Sequence, residues 1–262
     1  MNPGPNMEIS MKKLALALAA TIASGGAALA DPIKVGVDIA AYPPFTAQDA
    51  DGTWKGWEVD LLAAVCKQAA LDCVITPTAW DGIIPALNAG QIDVIMSSMS
   101  ITAERMKAID FSDKYYNTPT AMMMATGAGL QPTAESLSGK IIGVQVSTTQ
   151  EAYVQAHFPD AELKSYQTSD ESYQDLAAGR IDAVVADGLA MSDFLKTDTG
   201  ACCVSAGEVV DDPAILGDGV GFGLRKDDPL KATLNAAIAA IRADGTYDAF
   251  SKAYFDFDIY GK

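Results

Sequence analysis

Leu87-Asn88-Ala89-Gly90-Gln91-Ile92-Asp93-Val94-Ile95 recurs in closely similar form as Leu176-Ala177-Ala178-Gly179-Arg180-Ile181-Asp182-Ala183-Val184. Each copy reads as a helix end closed by a glycine, where a residue free to take positive φ turns the chain. The short β-branched run after the glycine suits a buried parallel strand. One such phrase in each half points to two similar α/β lobes. The two copies diverge beyond their strands. The first leads into Ser97, Ser98, Ser100 and then Arg105; the second leads to Asp187. Ligands of open α/β sheets lie outside the carboxyl ends of the strands. One lobe then offers hydroxyls and a guanidinium, the other a carboxylate. These complement the α-carboxylate and α-ammonium of an amino acid.

Working outward, Ile33 to Val37 reads as a first strand, broken by Tyr42-Pro43-Pro44-Phe45. Asp60 to Leu71 carries helical spacing in Leu61, Leu62, Val65 and Ala69, and Cys73 to Thr76 reads as a strand. Ile83 to Ala89 is the helix before the first repeat copy, and Tyr115 to Pro119 reads as a crossing segment. The second lobe opens with strand Lys140 to Val144, loop Ser147-Thr148-Thr149 and helix Gln150 to His157. Strand Ser165 to Thr168 and helix Glu171 to Ala178 precede the second copy. Asp211 to Gly219, rich in Asp, Gly and Pro, reads as a second crossing, and Val220 to Leu224 as the returning strand. Asp228 caps a helix that starts at Pro229 and runs to Ala243, and Thr246 to Tyr254 forms a last helix. The alternation predicts α/β lobes with mostly parallel sheets flanked by helices. Lobe 1 is expected over 31–116 plus 220–262 and lobe 2 over 121–210. The hinges are expected at 117–120 and 211–219, with the ligand cleft between the lobes.

Residues 1–30 read as a leader and secretory signal peptide: Lys12-Lys13, an apolar run from Leu14 to Ala23, and Ala28-Leu29-Ala30 as an A-x-A cleavage pattern. The formal net charge is −16; the leader holds two lysines and one glutamate, so the remainder is one unit more negative. Such acidity, without a basic cluster, argues against nucleic acid and anionic membranes; it would also favour a cationic ligand, although an acidic surface is more often a solubility feature. Four cysteines in an exported chain suggest disulfide chemistry. The spacing of Cys66 and Cys73 lets a helix end be stapled to the next strand. Cys202-Cys203 is compatible with a vicinal disulfide, two buried thiols or a labile redox pair. No histidine accompanies it, so zinc is not expected.

Arg105 is the first candidate, because a guanidinium at a strand exit can grip a carboxylate through two parallel hydrogen bonds. Ser97, Ser98 and Ser100 add hydroxyl and backbone donors. Asp187 at the matching end of the other lobe suits an ammonium. Thr148 and Thr149 precede a helix, where N-capping and anion binding are compatible with each other. Tyr42 and Trp80 are candidate aromatic walls, able to hold a cation between two rings. Asp38, four residues before Tyr42, is placed to meet a distal ligand cation. The lone histidine, His157, sits at a helix end, and no nucleophile elbow, phosphate loop or metal-ligand cluster is present. No metal, cofactor or catalysis is expected.

Several stretches resemble the family 3 solute-binding proteins of ABC importers: Gly56-Trp57-Glu58-Val59-Asp60-Leu61, Ser97-Ser98-Met99-Ser100-Ile101-Thr102, Arg105, Phe111-Ser112, Gly143-Val144-Gln145 and Gly217-Asp218-Gly219. The likeness covers essentially all of 31–262, and within the family it is greatest to periplasmic lysine/arginine/ornithine- and histidine-binding proteins. The resemblance implies two lobes of the type II periplasmic binding fold, closing over one L-amino acid and delivering it to a membrane permease. It implies that Tyr42 and Trp80 sandwich the ligand side chain, and that Ser98, Arg105 and Thr149 hold the α-carboxylate. Ser100 and Asp187 then hold the α-ammonium, Ser97 touches the distal group, and Thr148 and Gln150 flank the carboxylate loop. The chain departs from the pattern at Ile39, where basic-amino-acid binders place an acid three before the Tyr, with Asp38 one position further back. It departs also at Trp80 in place of Phe, at Trp57, and at Cys202-Cys203. A monomeric periplasmic receptor for arginine, lysine, ornithine or histidine is the first expectation. Binding of opines or neutral polar amino acids, or a cyclohexadienyl dehydratase on the same scaffold with Asp187 as general acid, are the alternatives.

Overall fold

The two repeat copies become the matching centres of two five-stranded sheets. The computed structural model of the protein describes residues 1–2 and 31–261; the expected signal peptide, beyond its first two residues, lies outside the described residues. The strands are β1 (Ile33–Asp38), β2 (Ala47–Gln48), β3 (Trp54–Lys55), β4 (Cys73–Thr78), β5 (Val94–Ile95), β6 (Asp110–Phe111), β7 (Thr120–Ala125), β8 (Ile141–Gln145), β9 (Glu162–Tyr166), β10 (Ala183–Asp187), β11 (Cys203–Glu208) and β12 (Gly223–Leu224). The helices are α1 (Trp57–Gln68), α2 (Ile83–Asn88), α3 (Ala134–Leu137), α4 (Thr149–His157), α5 (Ser169–Ala177), α6 (Gly188–Phe194), α7 (Pro213–Leu216), α8 (Leu230–Ala243) and α9 (Thr246–Ser251).

The first sheet has the order β4-β1-β5-β12-β6 and the second, read in the same sense, β9-β8-β10-β7-β11. In each, three parallel strands come from consecutive β-α-β units, with the repeat strand (β5 or β10) third. The fourth strand, β12 or β7, runs antiparallel to the repeat strand and to the fifth. It is antiparallel because it comes after a crossing and enters the sheet from the cleft end. The sheets are therefore mixed, with the parallel trio carrying the cleft residues at its carboxyl ends.

The repeated phrase does the same work twice. Gly90 (φ 70°) and Gly179 (φ 69°) take the left-handed conformation. The amides of Gly90 and Gln91 donate to Leu87 and Ala86 carbonyls, and those of Gly179 and Arg180 to Leu176 and Asp175 carbonyls, a Schellman closure. Asp93 then accepts from the Lys34 amide at 3.0 Å, and Asp182 from the Ile141 amide at 2.8 Å. Each carboxylate hooks the repeat onto the start of the neighbouring parallel strand. Ile92 and Ile181 pack where that strand has a glycine. A Cβ at Gly36 would lie 2.3 Å from Ile92 Cδ1, and one at Gly143 2.6 Å from Ile181 Cδ1. Gly36→Val is therefore expected to cost about 1–3 kcal/mol through overpacking, read as a lowered Tm. Adding Ile92→Ala should recover part of the loss; an unchanged Tm in the single variant would contradict this packing.

Both sheets are covered on two faces. In lobe 1, Leu61, Leu62 and Val65 of α1 and Leu234, Ala237, Ile238 and Ile241 of α8 fill one side; Ile83, Leu87, Ile95 and Phe111 fill the other. In lobe 2, Tyr153 and Val154 of α4 pack on one face and Tyr173, Met191 and Phe194 on the other. Trp57 is buried among Tyr115, Tyr116, Tyr247 and Phe255, and its indole N–H donates to Ser251 Oγ at 2.9 Å, which offsets burying the polar edge. Cys66 and Cys73 form a disulfide (Cα–Cα 6.3 Å) joining the end of α1 to the start of β4. Closing so short a loop contributes roughly 2.5 kcal/mol by the chain-entropy relation. Cys202 and Cys203 also form a disulfide, at the start of β11.

Several elements differ from the sequence reading. The helix read over Asp60 to Leu71 begins at Trp57 and ends at Gln68. The strand read over Ser165 to Thr168 is displaced to Glu162–Tyr166, where it pairs in parallel with β8. β7, with the sequence Thr-Ala-Met-Met-Met-Ala, has little intrinsic strand preference and forms because β10 and β11 flank it on both sides. The second crossing includes α7, capped by Asp212.

Candidate functional site

The carboxyl ends of β1, β5, β8 and β10 converge on one cavity of about 760 Å3, within the size range of small-molecule sites. All eleven candidate residues border it: Asp38, Tyr42, Trp80, Ser97, Ser98, Ser100 and Arg105 from lobe 1, and Thr148, Thr149, Gln150 and Asp187 from lobe 2.

Asp38 ends β1 and is buried. Its amide donates to Ser97 Oγ at 3.0 Å, and its carboxylate accepts from the Ala40 amide at 3.2 Å. From the other lobe, Gln145 Nε2 approaches it at 3.5 Å. Burial pushes the Asp38 carboxyl above its ordinary value, against these hydrogen bonds. Tyr42 stacks on Phe45 at 5.8 Å, and burial, helped by Asp187, holds its phenol well above the usual range. Trp80 sits in a single helical turn before α2. Its indole N–H reaches across the cleft to the Val146 carbonyl at 3.0 Å.

Arg105 lies over the Trp80 ring at 5.3 Å. Its Nη1 donates to the Ser100 carbonyl at 3.0 Å and its Nη2 to the Ser147 carbonyl of the opposite lobe at 3.2 Å. Removal from water lowers its pKa to about 10, which leaves it charged at neutral pH. No carboxylate forms an ion pair with it among the described residues. The opposite lobe presents its carbonyls on a tightly tied loop. The Val146 amide donates to the Tyr166 carbonyl, the Ser147 amide to Glu151 Oε2, and the Thr148 hydroxyl to the Gln145 carbonyl. Thr148 also accepts from the Glu151 amide, so it is the N-cap of α4. Thr149, buried, is the first residue of α4, where the helix amides and dipole favour an anion. Gln150 is held by the Thr120 hydroxyl and the Thr149 side chain.

Asp187 ends β10 and caps α6, accepting from the amides of Leu189 and Ala190 at 2.8 and 3.0 Å; the Thr118 hydroxyl donates to its other oxygen. Burial raises its carboxyl above the ordinary range despite these three donors. Neither Asp187 nor Asp38 has a cationic partner among the described residues. Lys114, Glu208, Asp211 and Asp218 also line the cleft, the three acids at its exposed edge; the buried carboxylates Asp38 and Asp187 and the Arg105 guanidinium have no ion-pair partner among the described residues.

Glu58, Gln145 and Thr118 also shape the site and lie outside the set expected from the sequence. Glu58 carries a signal: Glu58, Leu61, Leu62 and Val65 share one helical stripe, which puts an acid on the buried face of α1. Gln145 carries one as well, a polar residue ending a buried strand as Asp38 and Asp187 do. Thr118, in the crossing, carries none. Ser98 lines the cavity with both of its donors already engaged. Its amide and hydroxyl donate to the two Glu58 oxygens at 2.8 and 3.1 Å, and its φ of 51° is a left-handed conformation that serine seldom adopts.

The sequence profile of the bacterial extracellular solute-binding proteins, family 3, matches residues 33–257. The chain belongs to that family. The lysine/arginine/ornithine-binding periplasmic protein of Escherichia coli (strain K12) is 43% identical over 260 residues, covering 96% of this chain and 100% of the relative. The L-arginine-binding protein of Pseudomonas aeruginosa is 43% identical over 258 residues, 96% of this chain and 99% of its own. Among solved structures, an ancestral arginine-binding protein bound to arginine superimposes with a TM-score of 0.79 at 33% identity, covering 86% of this chain and 98% of that one. The family thus accounts for both lobes and the cleft.

Proposed function

We propose that the protein is a periplasmic receptor that closes on a cationic L-amino acid (arginine, lysine, ornithine or histidine) and presents it, as a monomer, to the membrane permease of an ABC importer. The observation that carries this reading is the arrangement of Arg105 and the two buried carboxylates Asp38 and Asp187, none with an ion-pair partner among the described residues, around one cleft. Arg105 suits the α-carboxylate, with Thr149 at the start of α4; Asp187 suits the α-ammonium; Asp38, beside the Tyr42 and Trp80 rings, suits a distal cation. An uncompensated buried charge is costly, so a ligand bearing the opposite three charges gains on all of them at once. The specificities named for the relatives support the same class. The parallel trios face each other through segments that leave the first sheet after Phe111 and the second after Glu208. Bending at 117–120 and 211–219 would open the cleft, and the ligand, touching both lobes, would favour the closed state.

Thermal unfolding of the mature, ligand-stripped protein against the common amino acids and prephenate tests this. A true ligand at a hundredfold excess over Kd stabilises by about 2.7 kcal/mol, or roughly 5–10 °C in Tm for a chain of this size. Shifts are expected with the cationic amino acids. Shifts confined to neutral ligands would remove Asp38 from the site, and a shift with prephenate alone would overturn the receptor reading.

A further inference from the structure

Glu58 is fully buried in lobe 1 and does not line the ligand cavity, yet it touches Ser98 of the cavity wall from behind. Its Oε1 accepts from the Ser98 amide at 2.8 Å and from the Tyr115 hydroxyl at 2.6 Å; its Oε2 accepts from the Ser98 hydroxyl at 3.1 Å. These donors come from two places that matter for closure. Ser98 forms part of the wall in its left-handed conformation. Tyr115 opens the first crossing: its amide donates to the Val220 carbonyl and its own carbonyl accepts from the Tyr247 hydroxyl at 2.7 Å. One carboxylate thus ties the wall of the ligand site to the root of the crossing.

We propose that Glu58 is a positioning residue for the ligand: its ionised carboxylate holds Ser98 in place and adds a negative charge behind the cavity wall, so that binding of a cation in the cleft and loss of the Glu58 proton are coupled. The inference rests on the cationic-amino-acid reading given above. Three donated hydrogen bonds favour the ionised form, and protonation would oblige at least one donor to turn away or become an acceptor. The titratable groups facing Glu58 are Tyr115 and Tyr116 of the crossing, Tyr42 of the loop after β1, and Asp187 of β10. Burial holds all three phenols well above the usual range, so they stay neutral at physiological pH. Burial first, with a contribution from Asp187, raises Glu58 to about 7. A ligand ammonium favours the charged form and lowers that value in the complex. The bound state then holds fewer protons than the free state near neutrality, and affinity falls as pH drops through 7.

Isothermal titration of arginine at pH 7, in phosphate and in Tris, reads the protons released. Wild type should release about half a proton per ligand, because a group at its own pKa is half protonated. Between pH 8 and pH 6 the affinity should fall by up to about tenfold per pH unit. Glu58→Gln keeps the shape without the titrating group and should abolish both effects. If Glu58→Gln fails to fold, Tyr115→Phe serves: it removes one donor, raises the Glu58 value, and moves the pH profile upward while affinity at pH 9 stays as in wild type. Binding without proton release in wild type, or release undiminished in Glu58→Gln, overturns the role of Glu58 and leaves the receptor reading standing. Failure of every cationic amino acid to bind overturns both.

Discussion

Replacing Arg105 by alanine should weaken binding of a cationic amino acid by at least about 100-fold, since leaving one partner of a desolvated charge pair alone costs roughly 3–5 kcal/mol. The residue has no carboxylate partner of its own among the described residues, and two of its donors rest on carbonyls, Ser100 in its own lobe and Ser147 across the cleft. Alanine removes the guanidinium fork, the cation over Trp80, and a contact between lobes together. Arg105→Lys keeps the charge but not the planar fork, so an intermediate loss is expected. Titration calorimetry with arginine reads both variants. The unliganded alanine variant should unfold near the wild-type temperature, because Arg105 lies in a single helical turn and not in a core cluster. Micromolar affinity in Arg105→Ala would remove this residue from the ligand site.

Asp187→Asn should separate binding from stability. Asparagine caps a helix about as well as aspartate, so the bonds to Leu189 and Ala190 can persist, and the Thr118 hydroxyl can turn to accept. What disappears is the charge. Affinity for the cationic ligand should fall by roughly 30–1000-fold, the 2–4 kcal/mol expected when a buried ammonium loses its counter-charge. Unliganded stability should move the other way. A carboxyl raised in the folded state penalises folding in full at pH values above its folded pKa, and the penalty shrinks as pH falls from the folded toward the unfolded value, below which it is gone. The asparagine variant therefore melts at or above wild type at pH 7, and the gap closes on acidification. Lowered stability at neutral pH together with unchanged affinity would mark Asp187 as a cap alone.

The repeat makes much of this architecture legible in the sequence. Gly90 and Gly179, Asp93 and Asp182, and Ile92 and Ile181 each serve the same purpose in both lobes, so reading them as two copies places two sheets and two strand exits. The hidden features depend on partners remote in sequence. β7 is a methionine-rich strand only because β10 and β11 bracket it. Ser98 looks like a free hydroxyl in the sequence, and its donors prove to be committed to Glu58 through a contact between residues 40 apart. Glu58 itself resembles ordinary first-turn acidity of α1, although its stripe is apolar. The position of Asp187 at a strand end is legible; its second role as the cap of α6 depends on Gly188-Leu189-Ala190 continuing as a helix.

The contacts that bridge the cleft are unequal in kind. Lobe 1 contributes the side chains of Trp80 and Arg105, whereas lobe 2 answers with the main-chain carbonyls of Val146 and Ser147. A carbonyl survives any side-chain replacement at its own position. For these two bonds the grip is thus adjustable from lobe 1 alone, whereas the approach of Gln145 to Asp38 joins two side chains and can be altered from either lobe. Point substitutions at Trp80 or Arg105 can weaken or retune the grip one bond at a time, while substitutions along the facing loop leave the acceptors standing. At the Trp80 and Arg105 bonds, changes in how long such a receptor retains its cargo would then come from lobe 1, with the facing carbonyls as the constant half of each pair.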